Sequence, residues 1–379
     1  MFMFTDFFYI WFLILVVSYF IIFFGYMYFS LKSDIINNFI GLGAMFFVLV
    51  NVLVFLMLMI QDKDIRVFLL PLFTYTLVLP IVLIVITIVF SAAILNFYNY
   101  ITKDKDIIKL NERLEERIKG RSKLREDIYR KISHVLIFIG LLFLWYISYS
   151  MTKTYNEEND IKEEIKHDPD TTNMLYSYLR LLTKPNSIKH VMLSMQWLYY
   201  VIFFVFYILC LVMIANEFTR KSKHLAFPLN LLPNLIISDE EKRSYGTYLY
   251  FCIGNMFAAF ICPPMVFFAI LGMSAIGDLM TSQIGIRYGK HHISWNRDKT
   301  WEGSLAGVLT SFVICFIFIG PLYSLILTGA FLIIDIITHK PLNITDNLLI
   351  PIGTSVVFVL VRFYTDIDYF SILLELIMR

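Results

Sequence analysis

Apolar stretches of about 20 residues, the length that crosses a bilayer, recur along this chain and constrain its fold more than any other feature. Candidate spans lie at 6–29, 36–60, 67–97, 132–149, 190–214, 247–262, 265–284, 304–319, 321–338 and 348–363. Of the 379 residues, 58% are hydrophobic and 16% charged, whereas a soluble domain carries about 25% charged residues. The expected fold is all-α, a polytopic integral membrane protein with about ten transmembrane helices, some short or broken. Pro263-Pro264 removes two backbone donors and predicts a helix break between the sixth and seventh spans. Run 67–97 reads as one tilted helix or a pair kinked at Pro80. Residues 1–6 carry no Lys or Arg, and the apolar run from Phe7 to Phe29 is long enough to span, so an anchor fits better than a cleaved signal. The four cysteines fall inside apolar runs without ligand spacing, which argues against a disulfide framework or a thiolate-bound metal.

Loop charge orients the spans. From Ile101 to Lys131 there are eleven Lys/Arg against seven Asp/Glu, and from Met151 to Lys189 six against seven. The positive-inside rule places the first segment in the cytoplasm and the Glu157–Asp170 loop outside. The N-terminus then lies outside, and segments 215–246, 285–303 and 339–347 fall inside. The organisation is N-terminal membrane helices at 1–98, a cytoplasmic amphipathic connector at 99–131, a transmembrane domain carrying the candidate chemistry at 132–363, and a tail at 364–379. Within the connector, Lys105 to Arg130 has apolar residues at roughly helical spacing. It reads as an interfacial helix or as a solvated coil.

One polar stretch breaks the apolar pattern. Asp278, Arg287, Lys290, Arg297, Asp298, Lys299 and Glu302 place seven charges of both signs within 25 residues. Charges near a bilayer are costly unless solvated, paired or used. The stretch is not a P-loop: Gly285 to Lys290 is one residue short and His291 follows. Gly285 and Gly289 leave one helical face bare, which suits a close helix neighbour or a phosphate at backbone N–H groups. Arg287, Lys290 and Lys299 supply positive charge suited to phosphate. Asp278 is a hard carboxylate, and Mg²⁺ in polyphosphate sites is held by one or two carboxylates plus the phosphates. The alternative is a positive-inside loop with incidental salt bridges. Asp346-Asn347, opening the last span, is a helix cap or a metal and substrate contact. Arg130 and Lys131 are snorkelling residues or lipid-phosphate contacts, and His134 shares their helix face. Glu217 and Arg220 could pair at i,i+3; Glu240 and Glu241 carry less.

The ordered set Arg130-Lys131-x-x-His134, Glu217-x-x-Arg220, Gly277-Asp278, Gly285-x-Arg287-x-Gly289-Lys290, Lys299-Thr300-x-Glu302-Gly303-Ser304 with Gly307, and Asp346-Asn347-x-x-x-Pro351 resembles the CTP-dependent polyprenol (dolichol and phytol) kinases and yeast-type diacylglycerol kinases, themselves distantly similar to phosphatidate cytidylyltransferases. The resemblance covers residues 125–362. Thr300 stands where that family often has Ser, and Asp335 where a Glu commonly precedes the Asp-Asn element. The resemblance implies transfer of the γ-phosphoryl group of CTP to a membrane isoprenoid alcohol such as dolichol, with Mg²⁺. It implies catalytic roles for Asp278, Lys299, His134 and Glu302, with Asp278 and Asp346 on the metal. It implies substrate contacts at Arg130, Lys131, Glu217, Arg220, Gly285, Arg287, Gly289, Lys290, Thr300 and Asn347. Lys299 would help hold the triphosphate, and Glu302 would orient Lys299 or the metal shell. His134 or a carboxylate would take the hydroxyl proton. The expected partners are CTP, a lipid alcohol and bilayer lipids, not nucleic acid. The expected membrane is the endoplasmic reticulum in a eukaryote or the cell membrane in a prokaryote, with the site facing the cytoplasm. The alternatives are a cytidylyltransferase making a CDP-lipid, a diacylglycerol kinase, and a transporter or inactive scaffold. The one-sided clustering of charge argues against a transporter.

Overall fold

A bilayer offers no hydrogen-bond partner to an exposed peptide group, so a chain this apolar satisfies its backbone within helices. The computed structural model describes residues 35–61, 79–94, 96–97, 101, 123–158, 197–220, 245–338, 344–365 and 367–378. The expected span 6–29, the connector over 105–122, Arg121 among it, and Glu240 and Glu241 lie outside the described residues. The helices are α1 (Ile35–Gln61), α2 (Leu79–Ile94), α3 (Lys123–Glu158), α4 (Trp197–Arg220), α5 (Thr247–Ile261), α6 (Pro264–Tyr288), α7 (Trp301–Ile337), α8 (Asp346–Thr365) and α9 (Ile372–Met378). A short antiparallel hairpin, β1 (His292–Ile293) and β2 (Asn296–Thr300), joins α6 to α7, with His292 opposite Thr300 and Ile293 opposite Asn296. Among the described residues, four segments are long and apolar enough to cross a membrane: Asp127–Met151, Pro264–Tyr288, Trp301–Ile337 and Asp346–Thr365. Shorter apolar helices accompany them, and a count of ten spans is not shown.

The prolines and glycines punctuate the helices as their chemistry requires. Pro263 caps α6 and Pro264 fills its first turn, where a missing N–H costs nothing, so α5 stops at Ile261. Beyond that break, α6 is longer than the expected 265–284 run. It continues through a single π turn at Met273–Gly277 into Asp278–Tyr288. Gly320 adopts φ 73° and ψ 177° and Pro321 follows it. In a straight helix Ser304 and Asp335 would stand about 46 Å apart at 1.5 Å per residue. Instead the Ser304 hydroxyl donates to Asp335 Oδ2 at 2.5 Å. Helix α7 is therefore folded back on itself as two antiparallel halves, matching the separate runs 304–319 and 321–338. Positive φ is the reason for glycine at 320; a Cβ there would also approach the Phe370 carbonyl oxygen to 2.8 Å.

Small residues set how closely α6 meets α7. A Cβ at Gly303 would lie 2.5 Å from the Thr281 carbonyl oxygen and 3.0 Å from Gly285 Cα, and one at Gly307 would lie 3.2 Å from the Gly277 carbonyl oxygen. Helix α8 approaches α5 equally closely, since a Cβ at Gly254 would meet the carbonyl oxygens of Asn347 and Leu348, each at 3.1 Å. Such contacts let backbones pack where lipid supplies no hydrophobic drive between helices. Phe251, Phe260, Phe267, Phe268, Phe331 and Phe358 fill the interior. Helix α1, outside the motif-bearing region, is tied to it. Asn37 Oδ1 accepts from the Thr345 N–H at 2.8 Å, and Asn38 Oδ1 from the Tyr250 hydroxyl at 2.8 Å.

Candidate active site

Two lysines, buried Lys131 on α3 and partly buried Lys299 on β2, organise the polar end of this bundle. Lys131 comes from the first part of α3, where the sequence changes from charged to apolar. Its ammonium lies 2.8 Å from Asp278 Oδ2 and donates to the Asp278 backbone oxygen at 2.9 Å and to Ser282 Oγ at 3.0 Å. Asp127, one turn before Lys131, lies 4.0 Å from the same ammonium. Asp127 Oδ2 also accepts from Ser282 Oγ at 2.6 Å and Gln283 Nε2 at 2.9 Å. Helix α3 is thus clamped to α6 where the π turn ends and Asp278 begins. A single π turn inside an α-helix frequently marks a functional site.

Lys299, on β2, reaches the other end of α7. Its ammonium donates to Asp335 Oδ1 at 2.6 Å and Asp346 Oδ2 at 3.1 Å. The return half of α7 brings Asp335 back to the membrane end where α7 began, and α8 starts there with Asp346. Burial by itself would lower the Lys299 pKa; the carboxylates of Asp335, Asp346 and Asp278 outweigh it and hold the pKa above the ordinary lysine value. Helix α8, which opens with Asp346, packs against the π turn that precedes Asp278, bringing the two lysine clusters to one end of the bundle. The hairpin is fixed in the same place by Asn296, whose amide donates to the Ile336 oxygen at 3.2 Å and the Thr338 oxygen at 2.6 Å.

The remaining expected residues separate by environment. Gly285 and Gly289 lie against Thr300, so of their two readings the structure realises the close neighbour. Thr300 caps α7 by accepting from the Gly303 N–H at 3.3 Å. Arg287 and Lys290 are exposed beside the hairpin. Glu302 does not reach toward Lys299: it accepts from the His291 N–H at 3.2 Å and meets His291 Nδ1 at 2.5 Å, bracing the start of the hairpin. His134 is buried, its ring stacked on Phe251 with centroids 3.7 Å apart. Glu217 accepts from the Tyr248 hydroxyl and from the Gly246 N–H, tying α4 to α5. Arg130 and Arg220 lie on α3 and α4, with side chains outside the described residues. Asp346 Oδ1 accepts from the backbone N–H of Asn347 at 2.9 Å and from its amide at 3.3 Å.

Local spacing did not disclose Asp127, Ser282, Gln283, Ser304 and Asp335 as partners in this cluster. Asp335 carried a signal, a carboxylate inside the apolar run Phe331–Ile337, where charge is expensive. Asp127 carried none, because it sits among other charges.

The described side chains at this site have four carboxylates, Asp127, Asp278, Asp335 and Asp346, against two ammonium groups, an excess of two negative charges. Asp278 is 2% exposed. Apart from the Lys131 ammonium, neither of its carboxylate oxygens has a hydrogen-bond partner among the described residues, and nor does Asn347 Oδ1. Unsatisfied buried oxygens in a net-negative pocket suit a hard divalent cation. No three His, Cys, Asp or Glu among the described residues form a cage by themselves.

No family model matches the chain, and no solved structure matches it. The chain is similar to the phytol kinase of Synechocystis sp., 28% identical over 160 residues. That similarity takes in 38% of this chain and 65% of the cyanobacterial protein, so the chain spans just under two thirds of that relative's length.

Proposed function

We propose that this protein is a membrane lipid-alcohol kinase that transfers the γ-phosphoryl group of CTP to the hydroxyl of an isoprenoid alcohol such as dolichol. The similarity to a phytol kinase supports the reaction class. The observation that carries the chemistry is Asp278, a buried carboxylate with open oxygens beside Lys131, on a helix whose last turn carries exposed Arg287 and which exposed Lys290 follows. Phosphoryl transfer needs positioning and charge neutralisation more than covalent help from the protein. The alcohol oxygen forms a bond to the γ-phosphorus, the bond from that phosphorus to the bridging oxygen breaks, and CDP leaves. The hydroxyl proton passes to a base in the site.

Asp278, with Asp346 and Asn347, would hold Mg²⁺. Bound there, the ion would neutralise charge on the phosphate oxygens. Arg287 and Lys290 would meet the triphosphate from the hairpin side. Lys131 fixes the Asp278 carboxylate, and Lys299 fixes Asp346. The alcohol would approach from the lipid with its hydroxyl at the polar end of the bundle, which by the loop charges would face the cytoplasm.

The test is purified protein in detergent with Mg²⁺ and γ-labelled CTP or ATP, offered dolichol, phytol, other polyprenols and diacylglycerol. Labelled lipid monophosphate with CDP as co-product is the expected result. Pyrophosphate with a CDP-lipid would overturn it in favour of a cytidylyltransferase. Transfer confined to diacylglycerol would overturn the isoprenoid assignment.

A further inference from the structure

We propose that Asp335 is a positioning residue that acts through Lys299 on the Asp346 carboxylate and so sets the cation affinity of the site. The inference rests on the kinase reading for its purpose, but its geometry stands apart from the choice of alcohol.

Asp335 is fully buried, and each of its carboxylate oxygens has a dedicated partner. Oδ1 takes the Lys299 ammonium at 2.6 Å, and Oδ2 takes the Ser304 hydroxyl at 2.5 Å. Its own backbone oxygen accepts from the Thr338 hydroxyl at 2.9 Å, which fixes the end of the helix that carries it. Lys299 is shared: the same ammonium contacts Asp346 Oδ2 at 3.1 Å. Asp346 Oδ1 is engaged by Asn347. A lysine held at 2.6 Å by one carboxylate leans less on a second, so Asp335 decides how much of the Lys299 charge falls on Asp346. With Asp335 in place Lys299 is largely neutralised, and Asp346 keeps negative charge for a cation. Without that charge, Lys299 is compensated by Asp346 alone and neutralises the carboxylate meant for the cation. This also explains why Lys299 does not stand open to phosphate as Arg287 and Lys290 do.

A salt bridge serving only stability predicts something different: loss of Asp335 lowers the melting temperature and leaves cation affinity unchanged in the molecules that remain folded. The test uses the full-length protein in detergent and Mn²⁺ alone, read by the loss of the free-ion electron paramagnetic resonance signal. Asp335→Asn keeps an oxygen for Ser304 and removes the charge. It is expected to weaken Mn²⁺ binding about ten- to a hundredfold, the usual size of an outer-shell effect on metal affinity. The double variant Lys299→Met/Asp335→Asn removes the neutralising ammonium too, and is expected to bind Mn²⁺ more tightly than Asp335→Asn alone. Ser304→Ala, which leaves the ion pair, serves as the milder second variant and is expected to shift binding less than Asp335→Asn.

Wild-type affinity in folded Asp335→Asn overturns the proposal. So does a double variant no tighter than the single one, or a wild-type protein that binds no Mn²⁺. Failure of the kinase reading looks different: the wild type would bind Mn²⁺ and respond to Asp335→Asn as expected, yet phosphorylate no alcohol.

Discussion

Lys131, buried, and Lys299, partly buried, are cations at the same end of the bundle, but they leave their surroundings in different states. Lys299 is shared between Asp335 and Asp346, and the second oxygen of each carboxylate is itself engaged, by Ser304 and by Asn347. Lys131 lies closest to Asp278, with Asp127 farther off at 4.0 Å, and the Asp278 oxygens accept nothing else from the described residues. The first arrangement is closed and holds the hairpin, α7 and α8 together. The second holds α3 to α6 and retains acceptor capacity. Buried acceptors left open are costly unless a ligand completes them. The main opening for a cation is therefore at Asp278, with Asp346 and Asn347 at its edge and the Lys299 cluster holding them in place.

The largest expected effect that could break this contrast comes from metal removal. Chelation of divalent ions should abolish phosphoryl transfer, and added Mg²⁺ should restore it; undiminished transfer after chelation would remove the reason for an open Asp278. Next in size is the pair Lys131→Met and Lys299→Met, followed by thermal unfolding in detergent. Each strands a buried carboxylate, with an expected loss of about 3–5 kcal/mol. Mg²⁺ should recover much of the stability of Lys131→Met and less of that of Lys299→Met, because Lys131→Met leaves the Asp278 oxygens to the ion alone, whereas Lys299→Met also strands Asp335, which holds no metal. Equal rescue of both would erase the distinction. Arg287→Ala and Lys290→Ala should raise the KM for CTP about tenfold each with smaller changes in kcat, as expected for lost charge-assisted phosphate contacts. A KM unchanged in both would move the triphosphate away from the hairpin. The smallest effect is expected at Gly320→Ala. Forcing a Cβ into a positive-φ turn should cost about 1–2 kcal/mol of stability, measured as a lower melting temperature, while Mg²⁺ dependence stays as in the wild type.

Much of the helical skeleton was legible because its signals are local. The apolar run 36–60 corresponds to Ile35–Gln61, Pro263-Pro264 ends one helix and starts the next, and the separate runs 304–319 and 321–338 meet at Gly320-Pro321. Helix α3 begins at Lys123, well before the apolar run at 132, because its charged first turns are bound to α6 and need no lipid. Run 265–284 looked short only because the apolar pattern fades before the helix does. Asp278, Lys131, Lys299 and Asp346 stood out as charges at the edges of hydrocarbon. Their pairing did not, since Lys131 and Asp278 lie 147 residues apart and Lys299 and Asp346 lie 47 apart. Glu302 shows the limit of spacing: three residues from Lys299 in sequence, it turns to His291, just ahead of β1.

The most direct measurement is phosphoryl transfer by purified Asp278→Asn protein beside the wild type, with γ-labelled CTP, saturating Mg²⁺ and the preferred alcohol, after circular dichroism has shown both to be folded. Loss of the metal ligand should lower the rate about a thousandfold or more while the helical signal is retained. Wild-type transfer by folded Asp278→Asn would contradict a phosphate–metal site at the Lys131–Asp278 contact.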